Sequence, residues 1–156
     1  MFDKSMKPYD KLWKLLENDL SKVSELIKLR MQSKHAPLIS DISSHLISSG
    51  GKRLRPLLTL ASAKLCGYRG SHHIQLAAIV EFIHTATLLH DDVVDESDQR
   101  RGVSSVNMLW DNSSSVLVGD YLFARSFQLM IEVGRLDILE ALSDASAKIA
   151  EGEVLQ

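Results

Sequence analysis

The sequence predicts an all-α protein, and three observations carry that expectation. Apolar residues recur at three- and four-residue spacing through most of the chain. Its three prolines and eight glycines fall mostly where such runs start or stop. No segment alternates apolar and polar residues with period two, and no hairpin dipeptide joins strand-like runs.

The elements follow in order. Leu12, Leu15, Leu16, Leu20, Val23, Leu26, Ile27 and Leu29 mark an amphipathic first helix. Pro37 suits the first turn of a second, where its missing amide hydrogen would have no partner anyway. Leu38, Ile39, Ile42, Leu46 and Ile47 carry that helix, and Ser48-Ser49-Gly50-Gly51 stops it. Pro56 is expected to open a third helix that ends near Gly67 and Gly70. Ser71 is expected to cap a fourth, from about His72 to Asp95. Its apolar residues, among them Leu76, Ile79, Phe82, Ile83, Ala86 and Leu89, lie on most sides, which predicts a central, buried helix. The polar stretch from Glu96 to Ser105, with Gly102, reads as a loop. Two further helices are expected over residues 113–133 and 136–154, with Asp137 favouring the start of the last.

Composition narrows the function classes. A length of 156 residues allows one domain, here residues 1–156, with a real core. The formal net charge of −2 gives no general attraction to nucleic acid or anionic membrane, so any phosphate recognition must come from local basic clusters. The one cysteine, Cys66, rules out an internal disulfide and reads as a small buried core residue. The segment Met1–Pro8 contains no apolar core of a secretory signal, and no run reaches the ~18 apolar residues that cross a bilayer. A soluble cytoplasmic protein is the expectation. Trp13, Trp110 and the methionines read as packing residues.

Three local patterns bear on chemistry. Asp91-Asp92-Val93-Val94-Asp95 puts three carboxylates in five residues at the end of the fourth helix. At about 100° per residue, Asp91 and Asp95 share a face and repel by a few tenths of a kcal/mol, so a counter-charge is called for. Mg²⁺ is the natural candidate, because it takes one or two carboxylates and fills its other positions with water and substrate phosphate. The partial negative charge of the helix C-terminus also favours a cation there. His84, seven residues before Asp91, returns to the same face, so His84, Leu88, Asp91 and Asp95 form one stripe. From that place His84 can donate a hydrogen bond to a second anionic ligand. Taken alone, the acidic run is equally a solvated helix end.

Gly50-Gly51-Lys52-Arg53-Leu54-Arg55-Pro56 joins two conformationally free residues to three cations. It lacks the spacing and ending of a Walker P-loop, and alone it reads as a helix stop followed by solvated charges. Asp98-Gln99-Arg100-Arg101-Gly102 gains meaning from its place just after the acids, since arginines can neutralise the oxygens of a metal-bound diphosphate.

Together these motifs resemble the trans-polyprenyl diphosphate synthases. The resemblance rests on Gly50–Pro56, on Phe82-Ile83-His84-Thr85-Ala86-Thr87-Leu88-Leu89-His90 leading into Asp91–Asp95, on Arg100-Arg101-Gly102, and on Val118-Gly119-Asp120-Tyr121-Leu122-Phe123-Ala124-Arg125. It implies an antiparallel helical bundle of the isoprenoid synthase type and a head-to-tail condensation of an allylic diphosphate with isopentenyl diphosphate. It implies Mg²⁺ on Asp91 and Asp95, with Asp92 in the same catalytic acidic motif, and Arg100 on the allylic diphosphate. Lys52, Arg55, His84 and Arg101 match the isopentenyl diphosphate site. Product length in this family depends on the fifth and fourth residues before the acidic motif, here Ala86 and Thr87. A small Ala86 argues against a short product, and the surrounding sequence looks most like the octaprenyl class that supplies quinone side chains. Complete members are commonly homodimers.

One departure from the family pattern stands out. Members carry a second aspartate-rich motif on a later helix, and none follows Glu96 here; Glu151 and Glu153 lack its spacing. The chain therefore resembles only the N-terminal half of such an enzyme, and alone it is expected to bind diphosphates weakly and turn over poorly or not at all. The alternative is a non-catalytic helical subunit that pairs with a complete synthase. A helical metal-dependent phosphohydrolase built on His90-Asp91 is a further rival, but it needs several histidines converging on a metal. His72 and His73 sit at a helix start, and His35 and His45 read as surface residues.

Overall fold

Helix α4, His72–Val94, runs through the middle of the molecule, and most of the other described helices are laid against it. This is a computed structural model, and it describes residues 6–155. The other elements are α1 (Pro8–Met31), α2 (Pro37–Ser48), α3 (Leu54–Leu65), β1 (Gln99–Arg100), β2 (Val103–Ser104), α5 (Val106–Leu109), α6 (Asn112–Val133) and α7 (Leu136–Leu155). Residues 1–5 of the segment read for a secretory signal lie outside the described residues. No described helix is long and apolar enough to cross a membrane.

The buried position expected for α4 is borne out. Ala77, Ala78, Ile79, Phe82, Ile83, Ala86 and Leu89 are all buried along it, pressed mainly against α6 and also against α3 and α1. Helix α1 contributes one stripe, Leu16, Leu20, Val23, Ile27 and Met31, whose steps of three and four residues follow the helical repeat. Leu15 and Leu29, which share the periodicity, fall outside that stripe and are exposed. Helix α6 closes the far side with Val118, Leu122, Leu129, Met130 and Val133.

Helix boundaries follow from local chemistry. Pro37 occupies the first turn of α2 as expected. Helix α3 starts at Leu54, two residues before Pro56; a proline in a first turn costs no hydrogen bond, because those amides lack intrahelical acceptors. Asp111 caps α6 by accepting from the Ser114 amide, and Gly134 ends it in the left-handed region (φ 71°). Asp137 sits in the first turn of α7 and pairs with Arg135. Ser71 precedes α4 but makes no side-chain cap: its own backbone is already helical (φ −104°, ψ −12°), not extended as a capping hydroxyl requires.

Three further expectations are corrected. Cys66 is exposed, because α3 has ended by that residue and its buried side is spent on Pro56, Leu57 and Leu60. Met108 is likewise exposed, on the short helix α5. The stretch 96–105 is more than a loop. Gln99–Arg100 pairs antiparallel with Val103–Ser104 across a two-residue turn in which Arg101 (φ 56°) and Gly102 (φ 80°) both have positive φ. That is the backbone of a tight hairpin, but Arg-Gly is not among its usual dipeptides, so the sequence did not announce it.

Candidate active site

The acidic end of α4 divides its carboxylates by burial. Asp92 is buried and takes two hydrogen bonds from Arg100 on β1, the one from Nε measuring 2.8 Å. Asp91 is half-buried and Asp95 is exposed. The helix repeat explains the division: Asp92 is turned about 100° from Asp91, toward the interior. Asp91 and Asp95 are left to face the clefts.

The Asp91 carboxyl is pushed above its ordinary pKa, chiefly by burial, then by Glu153 and Asp95, against the pull of Arg100 and His90. Three acids thus load one region with like charge, which a divalent cation would relieve. Asp95 lines one open cleft and Asp91 a second, and such open-sided carboxylates suit Mg²⁺, which leaves most of its shell to water and phosphate. Among the described residues no three His, Cys, Asp or Glu side chains cluster as an all-protein metal cage.

The glycine turn and the arginine hairpin, 51 residues apart in sequence, meet on this side of the molecule. Arg101 donates from Nη1 to the Gly50 carbonyl, and its guanidinium fills the space that a Cβ on Gly51 would need. Tyr9 on α1 donates to the Lys52 carbonyl at 2.9 Å. Lys52 and Arg55 remain exposed. Lys52, Arg55, His84 and Arg101 line one cleft, so the four residues matched to a second diphosphate converge. His84 also lines a neighbouring cleft with Leu88, Asp95, Arg100 and Arg101, and a third with Arg55, Thr87, Leu88, Asp91 and Glu153. His84 and Leu88 are therefore shared by the cleft that carries Asp95 and the cleft that carries Asp91.

Burial lowers the His84 pKa to about 4, and the nearby cations Arg55, Arg101 and Arg100 act in the same direction. The imidazole is neutral near pH 7, so it offers one N–H donor without adding charge.

The two residues read for product length separate. Thr87 lines the cleft with Asp91 and Glu153, and its hydroxyl donates to the His84 carbonyl at 2.9 Å. Ala86 is 1% exposed, is packed into the core, and is not part of that cleft's lining. One helix position, or about 100°, takes it to another face.

Two relationships escaped the sequence reading. Arg53 turns inward and pairs with Glu81 at 2.9 Å. The available signal was Glu81 itself, the one charged residue (Asp, Glu, Lys or Arg) between His72 and His90. His90 turns to α6, where its ring occupies the space beside Gly119 and its Nε2 lies 3.2 Å from the Val116 carbonyl. His90 and Asp91 therefore address different faces, and the histidine-rich centre that a phosphohydrolase needs is not formed among the described residues. His45 is half-buried rather than on the surface, with its ring edge-on to Trp110.

Comparison with known proteins agrees with this geometry. A family model described as polyprenyl synthetase matches residues 36–156. Octaprenyl diphosphate synthase of Escherichia coli is 47% identical over 147 residues, which cover 94% of this chain and 45% of that protein. The crystal structure of a decaprenyl diphosphate synthase from Rhodobacter capsulatus superimposes with a TM-score of 0.93 at 64% identity, covering 96% of this chain and 46% of that one. A polyprenyl synthase from Caulobacter crescentus, complexed with calcium and isoprenyl diphosphate, gives a TM-score of 0.92 at 53% identity, covering 99% and 47%. The chain spans about half the length of the curated relatives it matches, and its fold is the helical bundle of those synthases.

Proposed function

The chain belongs to the polyprenyl synthetase family, and from that premise we propose that it carries one wall of a prenyl-transfer site, where an allylic diphosphate condenses head to tail with isopentenyl diphosphate. Lys52, Arg55, His84 and Arg101 hold the isopentenyl diphosphate. Asp91, Asp95 and Arg100 serve the allylic diphosphate, and Asp92 positions Arg100. Residues 1–156 are read as a single helical domain that forms the N-terminal part of an isoprenoid synthase fold.

The chemistry suits these groups. Breaking the allylic C–O bond leaves pyrophosphate, so cationic side chains stabilise the charge that develops. Mg²⁺ held by Asp91 and Asp95 with diphosphate oxygens would neutralise that leaving group when bound. Arg100, locked by Asp92, presents a guanidinium at fixed distance. Neutral His84 donates one hydrogen bond to the second diphosphate without repelling the arginines around it. The isopentenyl double bond attacks the allylic cation, and a proton leaves to the departing pyrophosphate. No side-chain nucleophile is required. The apolar residues beside the clefts, Leu58, Val80, Ile83 and Leu88, keep water from the cation.

A long product is the reading that the Escherichia coli octaprenyl and Rhodobacter capsulatus decaprenyl relatives support, and for this chain we propose the octaprenyl class used for quinone side chains. The calcium in the Caulobacter relative supports a divalent cation, for which we propose Mg²⁺. A second copy of the chain is the proposed partner, through the α6 face that exposes Leu117, Phe127 and Ile131. We read the protein as cytoplasmic, and the 156-residue chain alone as a diphosphate binder that turns over poorly.

The observation that carries this reading is the placing of His84 on all three clefts, between the acids and the basic turn. The test is calorimetric titration of the chain with isopentenyl diphosphate and with farnesyl diphosphate, each with and without Mg²⁺. Farnesyl diphosphate is expected to bind only with Mg²⁺, and isopentenyl diphosphate in either condition. Failure of both ligands to bind would count against the reading. Robust prenyl transfer by this chain alone would overturn the statement about turnover.

A further inference from the structure

Glu81 is 7% exposed in the middle of an apolar helix, and Arg53 meets it from the N-terminus of α3. A carboxylate in that setting is costly to desolvate unless it is paired. The pair also has a conformational consequence. Gly50 (φ 67°), Gly51 (φ 151°) and Arg53 (φ 45°) all have positive φ, and a non-glycine residue holds that conformation only where its surroundings impose it. Arg53, drawn inward to Glu81, stands in the turn between Lys52 and Arg55, and both of those remain exposed. Glu81 and Arg53 line the same cleft as Lys52, Arg55, His84 and Arg101.

We infer that Glu81 is a positioning residue for the isopentenyl diphosphate subsite: through Arg53 it holds the glycine turn so that Lys52 and Arg55 face the ligand. This rests on the function proposed above. Two further tethers hold the same turn, Arg101 on the Gly50 carbonyl and Tyr9 on the Lys52 carbonyl. The pair with Glu81 holds the side chain of Arg53, the non-glycine residue in a disfavoured conformation, while its carbonyl accepts from the Leu57 amide at the start of α3.

The inference makes a prediction opposite in sign to simple electrostatics. Removing the Glu81 charge leaves the cleft more positive, so Coulomb attraction alone would tighten diphosphate binding. Loss of positioning weakens it. The experiment titrates the wild-type chain and Glu81→Gln with isopentenyl diphosphate, and separately with farnesyl diphosphate plus Mg²⁺. Amide hydrogen exchange is followed in both proteins. Isopentenyl diphosphate is expected to bind about tenfold more weakly to the variant, the scale of a lost local coupling, while farnesyl diphosphate is unchanged. Exchange is expected to quicken at Gly51, Lys52 and Arg53 but not along α4. Arg53→Gln should give the same pattern, and the double variant should be no worse than either single one. If Glu81→Gln does not fold, Glu81→Asp and Arg53→Lys take its place and should show the same selective loss at smaller size. Tighter or unchanged isopentenyl diphosphate binding, equal weakening of both ligands, or additive losses in the double variant would overturn the inference alone. A wild-type chain that binds neither ligand would overturn the proposed function and this inference with it.

Discussion

The guanidinium of Arg101 lies where a Cβ on Gly51 would have to be, and it also binds the carbonyl of Gly50. One contact thus ties the hairpin after α4 to the turn before α3. Gly51→Ala should push Arg101 out of place and also force an unfavourable φ on alanine. We expect isopentenyl diphosphate affinity to fall by about tenfold or more, because a small misplacement of a positioned group is costly. Titration of the purified variant checks this, and wild-type affinity in Gly51→Ala would count against it.

Asp92 should behave differently from its neighbours. Asp91→Ala and Asp95→Ala are expected to abolish Mg²⁺-dependent binding of farnesyl diphosphate with little loss of fold stability. Asp92→Ala leaves Arg100 without its buried partner and should cost on the order of 3 kcal/mol in urea unfolding. Equal stability of the three variants would contradict this division.

His84 gives the molecule a pH dependence with a definite sign. Its pKa falls from 6.5 unfolded to about 4 folded, so the folded state binds fewer protons in that interval. The stability linked to His84 is complete above pH 6.5 and is lost as the pH falls from 6.5 toward 4. His84→Gln should flatten the pH dependence of unfolding across that window, as measured by urea melts at several pH values. An unchanged slope would place the dependence elsewhere. Bound diphosphate should raise the imidazole pKa, which an NMR titration with and without isopentenyl diphosphate would read.

Product length should respond to Thr87 rather than to Ala86. Thr87→Phe fills the cleft beside Asp91 and should shorten the product in an active enzyme that contains this chain. Ala86→Phe enters a packed core, where overpacking costs about 1–3 kcal/mol, so its main effect should be on stability. Chromatographic product analysis and thermal melts of both variants separate the two. Shorter products from Ala86→Phe at unchanged stability would contradict this division.

Much of the site was legible because helical spacing is arithmetic along the chain. His84, Leu88, Asp91 and Asp95 could be placed on one stripe from the repeat alone, and the structure puts them along neighbouring clefts. The hairpin at Gln99–Ser104 was not legible, since Arg101 takes its positive φ without a dipeptide that signals it. Cys66 lies exposed just past the end of α3, and periodicity alone does not say where that helix stops.

By itself the sequence determined the helices, their order and the motifs that mark the family, because each of these depends on residues close together in the chain. Tertiary structure alone decided what each charge does. Among the cations of residues 52–55, Arg53 is claimed by Glu81, 28 positions away, while Lys52 and Arg55 stay open. Among the three aspartates, Asp92 is claimed by Arg100. A buried charge must find an opposite one, and which partner it finds depends on the neighbours that packing brings within about 3 Å.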